Sequence, residues 1–212
     1  MLSNSVKRLF VRQIKCSIRT TSVRSLSAAD DVTILTKPSE NIKGDYDVII
    51  AGGGMVGCTL ACAMAKDSIL SNLKVLLLEG GPDKEYKWKP EYSNRVVALN
   101  QNTKALMTSL DVWKRVEKMR LQPVRYMQVW DASSDAMISF SSSELLDDDV
   151  AYIVENDVLL HAVNSELTST DNNVKIVYDA KIAGYQLPKQ DNSTVKSYVQ
   201  MSNGDTYTCQ LL

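Results

Sequence analysis

The most constraining feature of this chain is a glycine run set between a short apolar segment and an amphipathic one. Asp47-Val48-Ile49-Ile50-Ala51 leads into Gly52-Gly53-Gly54-Met55-Val56-Gly57, the pattern G-x-G-x-x-G. A short apolar run bounded by glycines reads as a buried parallel strand. Met55 to Lys66 follows, with Val56, Leu60, Ala63 and Met64 at helical spacing. Gly52 permits the tight turn out of the strand. Gly54 has no Cβ, so a pyrophosphate can approach the backbone, and Gly57 lets the helix pack closely on the strand. The first amides of the helix then face the phosphates, aided by the helix dipole.

A second buried strand, Lys74-Val75-Leu76-Leu77-Leu78-Glu79, ends at Gly80-Gly81-Pro82 because proline cannot continue a ladder. Glu79 lies 22 residues after Gly57, the expected place for an acid that accepts hydrogen bonds from ribose hydroxyls. Its charge would repel a 2′-phosphate, which disfavours NADP. FAD and NAD both satisfy the site at this point.

Residues 83–94 read as a polar loop. Asn102 is a plausible N-cap for a helix through Leu110, with another short helix near 111–119. Tyr126 to Trp130 and Met137 to Phe140 look like strands, and Ser141 to Asp149 like an acidic loop or hairpin. Tyr152-Ile153-Val154 is a strand; Asn156 begins a helix to about Leu167, and Glu155 and Asn156 read as caps. Val174 to Tyr178 is another strand, followed by strand-like stretches over 180–187, 194–201 and 205–212. Val195, Val199 and Met201 alternate with Thr194, Lys196, Tyr198 and Gln200, and Tyr207, Cys209 and Leu211 with Thr206, Thr208 and Gln210. Asn203-Gly204 suits a type I′ hairpin turn, with φ > 0 at both positions. In a simple NAD dehydrogenase βαβ units would continue here. A run of antiparallel strands fits flavoproteins whose nucleotide fold is interrupted by a three-stranded meander.

Charge is distributed unevenly. Lys7, Arg8, Arg12, Lys15, Arg19 and Arg24 fall in residues 1–29, which hold no acid and many serines. The whole chain has a net charge of −1, so the remainder carries −7. Val6, Leu9, Phe10 and Ile14 can share one helical face beside the basic residues. This is the pattern of a mitochondrial transit peptide, with residues 30–44 as linker. Near-zero net charge leaves no footprint for nucleic acid. No apolar stretch is long enough for a membrane-spanning helix. The four cysteines have neither metal-ligand spacing nor a disulfide framework. His161, the sole histidine, has no nucleophile or metal partner and reads as structural.

Three further stretches make the chain recognisable: Tyr92-Ser93-Asn94-Arg95-Val96, Met127-Gln128-Val129-Trp130-Asp131-Ala132, and Tyr152-Ile153-Val154-Glu155-Asn156-Asp157-Val158. With the glycine motif and Leu76-Leu77-Leu78-Glu79, residues 46–168 closely resemble the ubiquinone-biosynthesis flavin monooxygenases, ring C5-hydroxylases of the p-hydroxybenzoate-hydroxylase-like family. The resemblance implies an α/β fold: a Rossmann-like FAD-binding βαβ of the glutathione-reductase type with a β-meander, plus part of an antiparallel substrate-domain sheet. It divides the chain into a transit peptide and linker (1–40), a first FAD-binding part (45–122), a partial substrate sheet (123–150) and a second FAD-binding part with the meander (151–212). Gly52, Gly54 and Gly57 would hold the FAD pyrophosphate and Glu79 the ribose. Arg95 would lie near the cofactor, its guanidinium fork suited to phosphate oxygens. Met127 and Trp130 would line an apolar pocket or pack in a core.

The implied activity is hydroxylation of a polyprenylated hydroxybenzoate-type ring by O₂ and reduced FAD, with no catalytic side chain and no metal. A ferredoxin-type donor, other ubiquinone-biosynthesis proteins and peripheral contact with the matrix side of the mitochondrial inner membrane are the implied partners. Two of the family's later motifs, an Asp-Gly segment and Gly-Asp-Ala-Ala-His, are missing, so the chain reads as an N-terminal fragment. Alone it is expected to lack activity and to hold FAD weakly or not at all. Three alternatives stand beside this reading. They are an FAD oxidoreductase of the same fold with another aromatic substrate, a non-catalytic truncated subunit that docks in the ubiquinone-biosynthesis assembly, and, less well supported, an NAD dehydrogenase.

Overall fold

A computed structural model describes residues 33–34, 41–145, 148–169, 173–188 and 196–212. Apart from Thr33 and Ile34, the expected transit peptide and linker over 1–40 lie outside the described residues, as do Thr194 and Val195.

The first elements are β1 (Thr33–Ile34), β2 (Ile42–Ala51), α1 (Met55–Lys66), β3 (Val75–Leu78) and β4 (Val96–Leu99). Next come α2 (Gln101–Ser109), α3 (Trp113–Glu117), β5 (Gln122–Val124), β6 (Tyr126–Trp130), β7 (Met137–Ser141) and α4 (Ser142–Leu145). The chain closes with β8 (Ala151–Glu155), α5 (Asn156–Ser169), β9 (Val174–Val177), β10 (Ile182–Gln186), β11 (Ser197–Met201) and β12 (Thr206–Leu211).

The main sheet has seven strands in the order β1-β10-β11-β12-β2-β3-β9. β2, β3 and β9 run parallel, with Ala51, Leu78 and Val177 level at their carboxyl ends. β10, β11 and β12 form the antiparallel meander, and β12 closes parallel against β2. Alternate residues of β2 and β3 serve two cores, as the period of two requires. Val48, Ile50, Val75 and Leu77 pack with α1 and α5, whereas Ile49, Leu76 and Leu78 pack with the meander residues Val199, Met201, Tyr207 and Cys209. β11 is covered on both faces, so Tyr198 is buried along with Val199.

Several local expectations are corrected. Asn100, not Asn102, caps α2, its side chain accepting the Thr103 N–H at 2.9 Å. The cap must precede the first helical residue, and Asn102 already lies inside the turn. The turn at Asn203-Gly204 is not type I′: only Gly204 has a positive φ, 89°. The Gly204 N–H donates to the Met201 carbonyl and the Met201 N–H to the Asp205 carbonyl, so the longer loop places its single left-handed residue at glycine. The acidic stretch after β7 begins with α4 rather than continuing as a loop. A small antiparallel sheet, β4-β8-β5, was absent from the sequence reading apart from β8. Its outer strands are short, and β5 contains Pro123, which is tolerated because that strand is an edge.

α1 and α5 run in the same sense. Lys66 Nζ meets Glu166 Oε1 at 2.7 Å, and both lie near the carboxyl ends of their helices. The amino ends, at Gly54 and Asn156, therefore share one end of the molecule. β6 and β7 form a two-stranded hairpin of their own. Trp130 is 70% exposed there, so the expected core packing of this residue is not found; Met127 is half-buried.

Candidate dinucleotide-binding site

The carboxyl ends of three neighbouring parallel strands deliver Gly52, Glu79 and Tyr178 to one edge of the sheet. Ligands of open α/β sheets bind at such an edge. Gly52 adopts φ = 114°, a left-handed conformation that strongly favours glycine. A Cβ on Gly57 would lie 1.9 Å from the Gly52 carbonyl oxygen, so helix and turn touch backbone to backbone. A Cβ on Gly54 would meet nothing within 4 Å. Backbone conformation therefore favours glycine at position 52 and packing demands it at position 57, while at position 54 the chain leaves open space. Gly54 is also the N-cap of α1, without a side-chain cap and with no acid in the first turn. The leading amides of a twelve-residue helix thus start beside open space at Gly54.

Glu79 belongs to the same cluster. The Gly53 N–H donates to its Oε2 at 2.7 Å and the Gly81 N–H to its Oε1 at 2.7 Å. A carboxylate has about four acceptor positions, so two remain for hydroxyl donors. The Glu79 main chain is fixed as well, its N–H donating to Val177 and its carbonyl accepting from Ala180. Burial raises the Tyr178 phenol above its ordinary value, with smaller effects of Asp83, Cys58 and Glu79 in turn.

Arg95 stands apart from this cluster. No hydrogen bond among the described residues joins it to the glycine turn. It is exposed and directly precedes β4, and its carbonyl accepts the Asn156 N–H at 3.0 Å. Because α1 and α5 start at the same end, Arg95 sits on that end too. The main chain of Arg95 and the amino ends of α1 and α5 therefore share one end of the molecule.

The sequence reading missed Arg120 and gave Glu155 another role. Glu155 is not a cap: it closes β8, is 4% exposed and pairs with Arg120 at 2.9 Å. The signal was a carboxylate at the end of an apolar strand, which must find a cation when buried. Its partner comes from another element, so no spacing revealed it. His161 stacks on Tyr86 with ring centroids 4.5 Å apart, which agrees with a structural role.

Burial disfavours the thiolate at the three described cysteines. Burial, with a smaller effect of the Glu79 charge, pushes Cys58 up to about 11, and its Sγ donates to the Gly53 carbonyl at 3.0 Å. Burial pushes Cys209 up to about 12. Among the described residues no cluster of potential metal ligands occurs, and no helix is long and apolar enough to cross a membrane.

Comparison with known proteins supplies the context. The chain is 41% identical over 199 residues to the mitochondrial ubiquinone biosynthesis monooxygenase COQ6 of Drosophila melanogaster, covering 92% of this chain and 41% of that protein. It is 38% identical over 171 residues to the human protein of the same name, covering 79% and 36%. The chain is a homologue of the mitochondrial ubiquinone biosynthesis monooxygenases. It spans about two-fifths of the length of the curated relatives it matches. No family model matches it. Among solved structures, the flavin-dependent monooxygenase PieE, in complex with FAD and substrate, aligns with a TM-score of 0.59 at 14% identity, over 80% of this chain and 30% of that one. The p-nitrophenol 4-monooxygenase PnpA of Pseudomonas putida aligns with a TM-score of 0.56 at 17% identity, over 80% and 40%. At such identities the likeness establishes the fold: α/β, of the flavin-monooxygenase type.

Proposed function

We propose that this chain holds the ADP half of FAD and serves a monooxygenase that hydroxylates the polyprenylated aromatic ring of a ubiquinone precursor at C5. The observation that carries the reading is the Glu79 carboxylate, bonded to Gly53 at the carboxyl ends of three parallel strands beside the open cradle of Gly54. The α1 amides at Gly54 and beyond would take the pyrophosphate, and the Arg95 guanidinium would add a charge-assisted contact to it. Glu79 would orient the ribose through its remaining lone pairs and repel a 2′-phosphate. Gly52 and Gly57 hold the turn in shape. FAD, when bound, supplies the reductive activation of O₂ from which the ring receives its oxygen. The meander, and its likeness to a monooxygenase solved in complex with FAD, favour FAD over NAD.

In this reading residues 45–122 and 151–212 build the FAD-binding part and residues 123–150 contribute to a substrate sheet. Residues 1–40 would direct import, the relatives being named mitochondrial. A hydroxybenzoate-type substrate with a polyprenyl tail implies peripheral contact with the matrix side of the inner membrane, beside other ubiquinone-biosynthesis proteins and a ferredoxin-type donor. The assigned residues all serve the ADP half, so flavin is held weakly by this chain alone. The test is calorimetric titration of the 212-residue chain with ADP and with FAD. The two should compete for one site, and Glu79→Ala should weaken both. Independent binding, or no effect of the substitution, defeats the assignment.

A further inference from the structure

The segment from Pro82 to Asn94 connects Glu79 to Arg95 and contains neither helix nor strand. Among the described residues, its main chain is hydrogen-bonded by two side chains. Arg120 Nη1 donates to the Pro90 carbonyl at 3.0 Å, and Nη2 donates to the Glu91 carbonyl at 3.3 Å and to Glu155 Oε2 at 2.9 Å. The other Glu155 oxygen accepts the Ser93 N–H at 3.3 Å. The rings of Tyr92 and Trp88 lie 4.5 and 5.6 Å from the Arg120 guanidinium carbon. One arginine thus grips the segment by two carbonyls and two aromatic faces, and its carboxylate partner grips it by an amide.

The grip ends at Arg95. Ser93 stands two residues before it, and the Ser93 Oγ accepts the Arg95 N–H at 3.4 Å. On the other side the Arg95 carbonyl accepts the N–H of Asn156, the residue after Glu155. The main chain of Arg95 is therefore located by Glu155 and its immediate neighbours, while its guanidinium is exposed. An ordinary packing pair would join two elements of one core. This pair joins a segment without regular structure to the strand end opposite Arg95. Burying it offers little net stability compared with apolar residues, which makes a positioning role the better reason for its presence.

We infer that Arg120 and Glu155 are positioning residues: they clamp the 82–94 segment and so aim Arg95 at the phosphates of the bound dinucleotide. The inference rests on the dinucleotide reading above. Its test uses the full chain carrying Arg120→Gln or Glu155→Gln, each alone and combined with Arg95→Ala. The readouts are melting temperature, ADP affinity by calorimetry, and tryptic cleavage after Lys84 and Lys87.

Each single variant should keep a cooperative melt. It should be nicked in the segment about tenfold faster, because local opening is then uncoupled from global unfolding. ADP affinity should fall about tenfold, and by less than about twofold once Arg95 is already alanine, since residues acting in one chain of contacts are not additive. Unchanged nicking, or a full tenfold loss in the Arg95→Ala background, overturns the clamp. Loss of the cooperative melt in both variants makes the pair merely structural and overturns it too. If the unmodified chain binds no ADP, the dinucleotide reading itself falls and the positioning role with it. That outcome is told apart because it precedes any substitution.

Discussion

The Gly53 amide donates to the Glu79 carboxylate at 2.7 Å. The residue assigned to the ribose therefore also ties the glycine turn to the end of β3. Glu79→Ala removes two charge-assisted bonds, to Gly53 and Gly81, at a stability cost of about 1–3 kcal/mol. It also removes the ribose acceptor, which should weaken ADP by about one to two orders of magnitude. Glu79→Gln keeps one acceptor oxygen and should fall between the two. Calorimetry beside thermal melts separates the effects, and equal ADP affinity in all three proteins would refute the ribose role.

The glycines at positions 54 and 57 should fail differently. A methyl on Gly57 would stand 1.9 Å from a backbone oxygen, so Gly57→Ala forces helix and turn apart. Overpacking of that kind costs about 1–3 kcal/mol or more, seen as a lower melting temperature even without ligand. Gly54→Ala adds its methyl to open space at φ = −73° and should cost no more than about 1 kcal/mol, the loss expected for alanine at a helix N-cap. It should still bind ADP poorly, because the methyl occupies the cradle. A stable Gly54→Ala protein with parental affinity would place the phosphates elsewhere.

The parts of this fold that were legible are those whose signal is local. The strand–turn–helix from Asp47 to Lys66 and the buried strand at Val75–Leu78 follow from runs of neighbouring residues, and so does the meander. β4 and β5 were not legible: each is short, half-exposed and held by pairing to β8 far along the chain. The conformational demands at Gly52 and Gly57 were legible from the glycine motif, and the place of Glu79 from the end of an apolar strand. Arg120 escaped because its partners are Pro90, Glu91 and Glu155, 29 to 35 residues away. The type I′ expectation at Asn203-Gly204 failed because the dipeptide allows that turn without enforcing it.

Acid should destabilise the contact between α1 and α5. Burial alone would raise the Glu166 carboxyl, but hydrogen bonds and charge from Lys66 and Arg115 outweigh it and hold the group below its ordinary 4.5. A depressed carboxyl contributes stability above the unfolded value, which is lost as pH falls through the folded one. The loss therefore belongs below pH 4.5. Glu166→Gln should lower stability at pH 7 by about 1–3 kcal/mol, and the gap to the parent should close as pH falls towards 3. Melting temperatures of both proteins from pH 3 to 7 check this, and a gap independent of pH would remove the pair from the account. At the other extreme, burial alone would lower Lys66, but bonds to Asp111 and Glu166 raise it above 10.5. Its contribution is present below that value and is lost as pH rises beyond it.

Among the described residues, the hairpin β6–β7 exposes several large apolar side chains. Register places Met127 opposite Phe140 and Val129 opposite Ile138, so these four side chains share one face. Trp130 and Met137 pair on the other. Val129, Ile138, Trp130 and Met137 are each more than half exposed. An isolated two-stranded hairpin gains little stability of its own, and exposed apolar faces with unpaired edges favour aggregation. Val129→Thr with Ile138→Thr retains β-branched residues suited to a strand while removing apolar area from one face. The double variant should show less concentration-dependent light scattering and a melting temperature within about 0.5 kcal/mol of the parent in stability terms. A marked drop in melting temperature would instead mean that these side chains pack within the folded chain. Unchanged scattering would show that association runs through another surface.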